Sequence, residues 1–299
     1  MLPAHHLIIM EKNFSEDFAS LLDLFKAYRK TERCLASFNV NDNYDLQAVV
    51  EAANEMDTHV MVMTYPPVAD LITPQVFTKM VEGVRLNAKN KVYLHLDHSV
   101  SVDQCKAAID AGYDSVMIDG SQKALEENIK MTKEVVAYAK SANVVVEAEI
   151  GKILGRGVEV KSDDDFLASV SHVKQLYEEA QPDIVAVGIG TAHGFTPQEP
   201  KIHFGRLGEI AEAIPAPLVL HGGTGIPDLD IQKSITMGMS KINIGTIVHT
   251  TYMQEAMKRM NEAGMNAYPP FIMKEVLPLI KDVVVDRLKA VNFQNELVV

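Results

Sequence analysis

Eight strand-length runs rich in apolar and β-branched residues alternate with helix-period segments along the chain, and this alternation limits the possible folds more than any other feature. The candidate strands begin at Leu35 (Leu35-Ala36-Ser37-Phe38-Asn39-Val40), His59 (to Thr64), Val92 (to Asp97), Ser115 (to Ile118), Val144 (to Ile150), Ile184 (to Ile189), Leu218 (to His221) and Lys241 (to Ile244). Helices fit between and after them, from Asp45 to Met56, Pro74 to Ala88, Val102 to Ala111, Leu125 to Ala139, Asp163 to Glu179, Gly205 to Ala213, Asp228 to Met237 and Ile247 to Glu262. Start signals support several of them: Ser101 before Val102, Thr73 before Pro74 and the acidic first turn Asp163-Asp164-Asp165. Eight such units in succession predict an α/β protein of the single (β/α)8 TIM-barrel type, an architecture of about 250 residues.

The remaining residues extend that barrel. Residues 1–33 read as an N-terminal helical layer with Phe18, Leu21, Leu22 and Phe25 on one face, and 34–299 as the barrel with its C-terminal helices. The last helix, Met273 to Leu288, is expected to be interrupted at Pro278. No linker, low-complexity tract or shift in composition divides the chain, so one domain is expected. Apolar residues at 47% and charged residues at 23% are ordinary for a globular core and give no reason to invoke disorder.

Charge and leader signals narrow the partners. A net charge of −12 opposes both nucleic-acid phosphates and an anionic membrane surface, so neither is an expected partner. No apolar run approaches the roughly 18 residues of a membrane span. The apolar Leu7-Ile8-Ile9-Met10 follows histidines and ends at Glu11-Lys12, too short for a signal-peptide core. Cys34 and Cys105 form no framework and read as free thiols, which fits a reducing, cytoplasmic compartment.

Chemistry concentrates at the strand ends. His98, His193 and His221 each close or follow an apolar run and precede Ser99, Gly194 or Gly222, which places them at the C-terminal ends of strands three, six and seven. That is the face on which barrel active sites are built. Three protein ligands with an open fourth position are the pattern of a catalytic zinc site. Asp97, Asp119, Glu147 and Glu149 gather near the same rim, the two glutamates sharing one strand face, and four acids beside three histidines suggest a metal combined with proton transfer. His95 shares the face of Asp97 and would support the ligands. His5, His6, His59, His172, His203 and His249 lack the strand-end context and read as structural or surface residues.

Two glycine-rich loops follow strands seven and eight, Gly222-Gly223-Thr224-Gly225 and Gly245-Thr246. Exposed backbone N–H groups and a helix N-terminus there favour a phosphate, with Asn243 and Thr246 as further donors.

These segments together resemble the class II, zinc-dependent ketose-bisphosphate aldolases, which include fructose-bisphosphate and tagatose-bisphosphate aldolases. The resemblance runs from about Leu35 to Val284. It is carried by Ala36-Ser37-Phe38-Asn39-Val40, Leu94-His95-Leu96-Asp97-His98, Ser115-Val116-Met117-Ile118-Asp119-Gly120-Ser121, Val146-Glu147-Ala148-Glu149-Ile150-Gly151, Gly190-Thr191-Ala192-His193-Gly194, Leu220-His221-Gly222-Gly223-Thr224-Gly225 and Lys241-Ile242-Asn243-Ile244, in collinear order. It implies His98, His193 and His221 as ligands of one catalytic Zn²⁺, with a second zinc near Asp119 and Glu149. It implies Asp97 as the acid–base on the hydroxyl derived from the aldehyde. Dihydroxyacetone phosphate would be held by Asn39, Gly194, Gly222, Gly223, Thr224 and the run Asn243, Ile244, Gly245 and Thr246. The implied reaction is reversible cleavage of a phosphorylated ketose to dihydroxyacetone phosphate and an aldehyde, by a homodimer or homotetramer.

The chain departs from the family pattern in three loops. After the glutamate strand it continues Gly151-Lys152-Ile153-Leu154-Gly155-Arg156-Gly157-Val158-Glu159, longer than usual, with Glu159 the candidate for the mobile-loop base. Met63-Thr64-Tyr65-Pro66-Pro67 replaces a loop of small residues, and Ser99 follows the first zinc histidine. All three surround the aldehyde end, so the aldehyde stays unassigned; Lys152 and Arg156 are available for a second phosphate or a carboxylate. Two other readings compete: a metal-dependent barrel hydrolase, disfavoured because Phe38-Asn39-Val40 stands where such enzymes carry His-x-His, and a noncatalytic sugar-phosphate-binding homologue that has lost its base.

Overall fold

The structure, a computed structural model, describes residues 17–153, 166–194 and 201–293. Eight strands form it: β1 (Leu35–Asn39), β2 (Val60–Thr64), β3 (Val92–Ser99), β4 (Ser115–Ile118), β5 (Val145–Ile150), β6 (Ile184–Val187), β7 (Leu218–Leu220) and β8 (Met239–Ile244). Each pairs in parallel with the next, and β8 returns to β1 through Ser37 opposite Asn243, closing the barrel. All eight strands overlap the segments the sequence predicts; β3 runs two residues past Asp97 and β8 starts two residues before Lys241.

The strands read as continuous apolar runs because both faces are covered. Every residue of β2 and of β5 is buried. Outward side chains such as Phe38, Val62, Leu94 and Val146 meet the helices, and inward ones such as Leu35, Met61, Val145, Ile184 and Val219 fill the lumen. The helix α1 (Leu21–Thr31) seals the N-terminal mouth by packing Leu21, Leu24, Phe25 and Tyr28 onto that inner layer. Ser20 caps it by accepting the Asp23 N–H. The Arg29 guanidinium ties it to the barrel by donating to the carbonyls of Ala211, Ile214 and Ala216. With one mouth closed by apolar side chains, polar chemistry is confined to the other.

The helices α2 (Asn43–Glu55), α4 (Pro74–Arg85), α5 (Val102–Asp110), α6 (Leu125–Ala139), α7 (Val170–Ala180), α8 (Phe204–Ala213), α9 (Asp228–Thr236) and α10 (Thr246–Ala263) match the predicted series. Ser101 caps α5 as expected, whereas Thr73 makes no side-chain cap and Pro74 alone marks the start of α4. The predicted Asp163 start lies outside the described residues; α7 begins at Val170, where the Ser169 side chain accepts the His172 N–H.

Two helical features depart from expectation. The segment read as a loop after β2 contains a short helix, α3 (Pro66–Leu71). Its first turn tolerates two prolines because N–H groups there need no intrahelical acceptor, and six residues are too few to show a period. The last helix, α11 (Pro269–Val291), runs unbroken through Pro278. Pro278 lies on the exposed side, where water can take up the carbonyl that loses its donor, while Ile272, Val276, Ile280 and Val284 stay buried opposite it. Cys34 and Cys105 are both buried free thiols, and among the described residues no helix is long and apolar enough to cross a membrane.

Candidate active site

The open mouth gathers residues from seven strand ends. His98 does not sit past the end of β3, as the sequence suggests, but inside it, at a register shift against β4 between Leu96 and Ser99. Its φ of 51° is left-handed, a costly backbone for a residue other than glycine, and it aims the ring across the lumen rather than outward. His221 directly follows β7, and His193 lies in the loop after β6. Ligand atoms of these three rings lie within 4.8 Å of one another, and the ring centroids of His98 and His193 are 4.9 Å apart.

Hydrogen bonding fixes which nitrogens face the centre. His98 Nδ1 is 2.8 Å from Asp119 Oδ2, and His221 Nε2 is 2.7 Å from Glu147 Oε1. Ionised carboxylates only accept, so these nitrogens carry the ring protons and leave His98 Nε2 and His221 Nδ1 as lone pairs. Those lone pairs face each other at 2.9 Å. Two lone pairs so placed repel unless a cation lies beside both, so the donor set fits a metal ion, and three imidazoles suit zinc.

The surrounding charge agrees. Burial works against a charged His98, yet Asp97, then Asp119 and Glu149, outweigh it and raise its pKa to about 10. His221 is lowered by burial and by His98. At that pKa the metal-free His98 carries a second proton, on Nε2 toward His221 Nδ1, in the place a metal ion would take, so the site favours positive charge at its centre.

A second group, His98, Asp119 and Glu149, also brings ligand atoms within 4.8 Å. Burial and the nearby Asp119 push the Glu149 carboxyl well above its ordinary range. Its buried Oε2 has no hydrogen-bond partner, as a ligand oxygen awaiting a cation would not.

Asp97 is held differently. Asn39 Nδ2 donates to its Oδ2 and Asn243 Nδ2 to its Oδ1, each at 2.9 Å. Burial alone would raise this carboxyl, but the positive groups His98, His221 and Lys241 hold it well below its ordinary value. An ionised carboxylate with both oxygens fixed by amide donors can receive a proton from one direction.

The cleft beside it is lined by Asn39, Asp97, His98, His193, Gly222, Thr224, Asn243, Gly245 and Thr246, all of which the sequence singled out. Gly222 has a φ of +74°, and a Cβ on it would lie 2.3 Å from the Ala192 carbonyl oxygen. At Gly245 a Cβ would meet Asn39 Oδ1 at 2.5 Å. Residues with a Cβ would strike these neighbours, so both turns stay bare of side chains beside the N-terminus of α10, a setting that suits an anion. Thr224 Oγ1 accepts the Ile247 N–H, tying the two glycine loops together. Gly223 belongs to the same turn, Ile244 is buried in β8, and Gly194 is the last described residue before a gap. Glu159 and Arg156 lie outside the described residues.

The sequence reading misplaced or missed several side chains. Glu147 is not a rim acid; it is fully buried beneath His221, between that ring and Lys241. Lys241 went unnoticed because a lysine opening a strand normally reads as a solvated charge. His95 does support the site: it is buried, bonded through Nδ1 to Ser115 Oγ at 2.9 Å, and lowered to about 3 by burial and Lys241. His249, read as structural or surface, joins Asn41 (2.8 Å) next to Tyr65 and the buried Asp45. Asn41 and Asp45 are linked by their four-residue spacing at the start of α2, but no spacing links them to Tyr65 or His249.

Comparison with known proteins follows this geometry. Residues 19–296 match the family model described as fructose-bisphosphate aldolase class-II. A protein of Halalkalibacterium halodurans named 6-phospho-5-dehydro-2-deoxy-D-gluconate aldolase is 40% identical over 235 residues, 76% of this chain and 80% of its own. A fructose-bisphosphate aldolase of Staphylococcus aureus is 41% identical over 215 residues, 71% of this chain and 75% of its own. Among solved structures, the YdjI aldolase from Escherichia coli superposes with a TM-score of 0.79 at 27% identity, covering 93% of this chain and 98% of that one.

Proposed function

This chain belongs to the class II fructose-bisphosphate aldolase family, and from that premise we propose that it is a zinc-dependent aldolase reversibly cleaving a phosphorylated ketose to dihydroxyacetone phosphate and an aldehyde. The observation that carries this reading is the convergence of His98 Nε2 and His221 Nδ1, with His193, beside an ionised Asp97 and two anion-binding loops.

Cleaving a carbon–carbon bond next to a ketone leaves an enediolate, and a cation held by His98, His193 and His221 offsets the charge that develops on its oxygens. Asp97, held by Asn39 and Asn243, takes the proton of the substrate hydroxyl that becomes the aldehyde. Gly222, Gly223, Thr224, Gly245 and Thr246 grip the phosphate, which fixes the reacting carbon relative to Asp97. Gly194 adds a backbone donor, and Ile244 sets the strand end from which the last loop leaves. Asp119 and Glu149 would hold a second zinc. Glu159 is our candidate for the base that acts at carbon. Family membership sets aside the hydrolase reading.

The relatives at near-equal identity are named for different substrates, fructose bisphosphate in one case and 6-phospho-5-dehydro-2-deoxy-D-gluconate in the other. Both are phosphorylated, which supports a sugar-phosphate substrate here and leaves the aldehyde end to a cleavage screen of phosphorylated ketoses. The direct test is zinc-dependent exchange of deuterium into dihydroxyacetone phosphate; no exchange by zinc-loaded protein overturns the reading.

The assembly is a second part of the proposal. Met253, Met257 and Met260 on α10, Met265 and Tyr268 in the turn that follows it and Phe271 at the start of α11 leave apolar side chains open to solvent. We assign these side chains to contact with a second copy of the chain, in a homodimer or homotetramer, with light scattering as the test. We assign residues 34–299 and the 1–33 layer, of which α1 (Leu21–Thr31) is described, to one domain, tested by a single cooperative unfolding transition. The buried free thiols support a cytoplasmic place, tested by fractionation.

A further inference from the structure

A lysine lies at the centre of the barrel with no access to water. Lys241 is the third residue of β8 and is fully buried. Such a side chain is costly to bury unless each of its protons finds an acceptor. Its Nζ is 2.8 Å from Glu147 Oε2 and 2.8 Å from Asn243 Oδ1. These two contacts open two branches. Along one, the other oxygen of Glu147 accepts from His221 Nε2 at 2.7 Å. Along the other, the Asn243 amide donates to Asp97 Oδ1 at 2.9 Å.

We propose that Lys241 is a positioning residue whose one ammonium group fixes both the ring proton of His221 and the orientation of the Asn243 amide on Asp97. An ammonium has no acceptor, so Asn243 must turn its oxygen to Lys241 and its NH₂ to Asp97. The ammonium also holds one oxygen of Glu147 at 2.8 Å and so aims the other at His221 Nε2, 2.7 Å away, which turns Nδ1 of that ring to the centre. Without Lys241 both orientations are released: the Glu147 carboxyl loses the contact that aims it at the ring, and the Asn243 amide can turn over and set its oxygen against Asp97. His95 does not substitute, since its Nε2 stands 3.7 Å from Glu147 and lacks a hydrogen-bond partner. One side chain thus ties a metal ligand to the acid–base.

This inference rests on the aldolase reading. The test uses the full chain with Lys241→Met, and with Lys241→Met/Glu147→Gln, which removes both buried charges together and keeps the fold available if the single variant does not fold. The readouts are zinc affinity by chelator competition, ¹⁵N shifts of His221 in the metal-free protein, and kcat and KM for ketose cleavage. Each variant is expected to bind zinc about 10–100-fold more weakly, to lose the pure Nε2–H form of His221, and to lose kcat more than KM. Because both substitutions act on one proton, the double variant is expected to be no worse than the single one in zinc affinity. Wild-type zinc affinity and an unchanged His221 signal in either folded variant, with loss only in thermal stability, overturn the inference. If the parent protein itself fails to bind zinc and to exchange deuterium, the aldolase reading fails instead.

Discussion

His98 Nε2 and His221 Nδ1 face each other at 2.9 Å, each ring pinned from behind by a carboxylate, Asp119 in one case and Glu147 in the other. Such a pair is stable only beside positive charge. Removing zinc by chelation is expected to abolish ketose cleavage and zinc re-addition to restore it. His221→Ala is expected to lower bound zinc well below one per chain and kcat by about 10³-fold, the several kcal/mol that a Lewis acid supplies. Metal analysis with steady-state kinetics checks both.

Asp97→Asn keeps the shape of the site and removes its proton acceptor. Cleavage is expected to fall about 10²–10⁴-fold, the usual worth of a general acid–base. Zinc content should be unchanged and deuterium exchange at dihydroxyacetone phosphate largely retained, because Asp97 is assigned to the hydroxyl and not to the carbon. Equal loss of exchange and cleavage would refute that assignment.

Gly222→Ala tests the phosphate loop. The left-handed backbone costs about 1–3 kcal/mol for a residue with a side chain, and the new methyl would strike the Ala192 carbonyl. A lower melting temperature and a raised KM for dihydroxyacetone phosphate are expected together. Melting curves and condensation kinetics separate the two effects.

Asp45 tests the link between burial and pH. Its carboxyl accepts from the Asn41 and Asp42 backbones, yet burial raises it from 3.8 to about 7. A carboxyl raised on folding favours the folded state fully below the unfolded value, and that contribution is lost as pH climbs through the folded value. The parent protein should therefore lose stability between about pH 4 and pH 7 relative to Asp45→Asn, with a slope of at most about 1.4 kcal/mol per pH unit. Denaturant titrations across that range measure it; a parent protein that gains stability relative to Asp45→Asn as pH rises would show that the ionised form is the stabilised one.

The exposed apolar side chains of α10 and α11 give an assembly test. Phe271→Asp with Met257→Asp places charge where both side chains are more than half exposed. In a monomer this change costs little. In the proposed oligomer it is expected to halve the mass seen by light scattering, and an unchanged mass would move the interface elsewhere.

The sequence by itself determined the barrel, because a strand covered on both faces must be apolar throughout and a helix covered on one face must show its period; both patterns repeat eight times. It also determined the three histidines, Asp97 and the two glycine loops, since strand ends and turns mark the catalytic face of such a barrel. It misplaced Glu147 and passed over Lys241, Asn41, Asp45, Tyr65 and His249. The reason is physical: whether a charged residue meets water or a partner depends on which strands become neighbours in space. Lys241 and Glu147 are 2.8 Å apart across the barrel lumen and 94 positions apart in the chain. Only closure of β8 onto β1 turned a lysine that looks solvated into the innermost charge of the site, and only the register shift in β3 turned His98 inward.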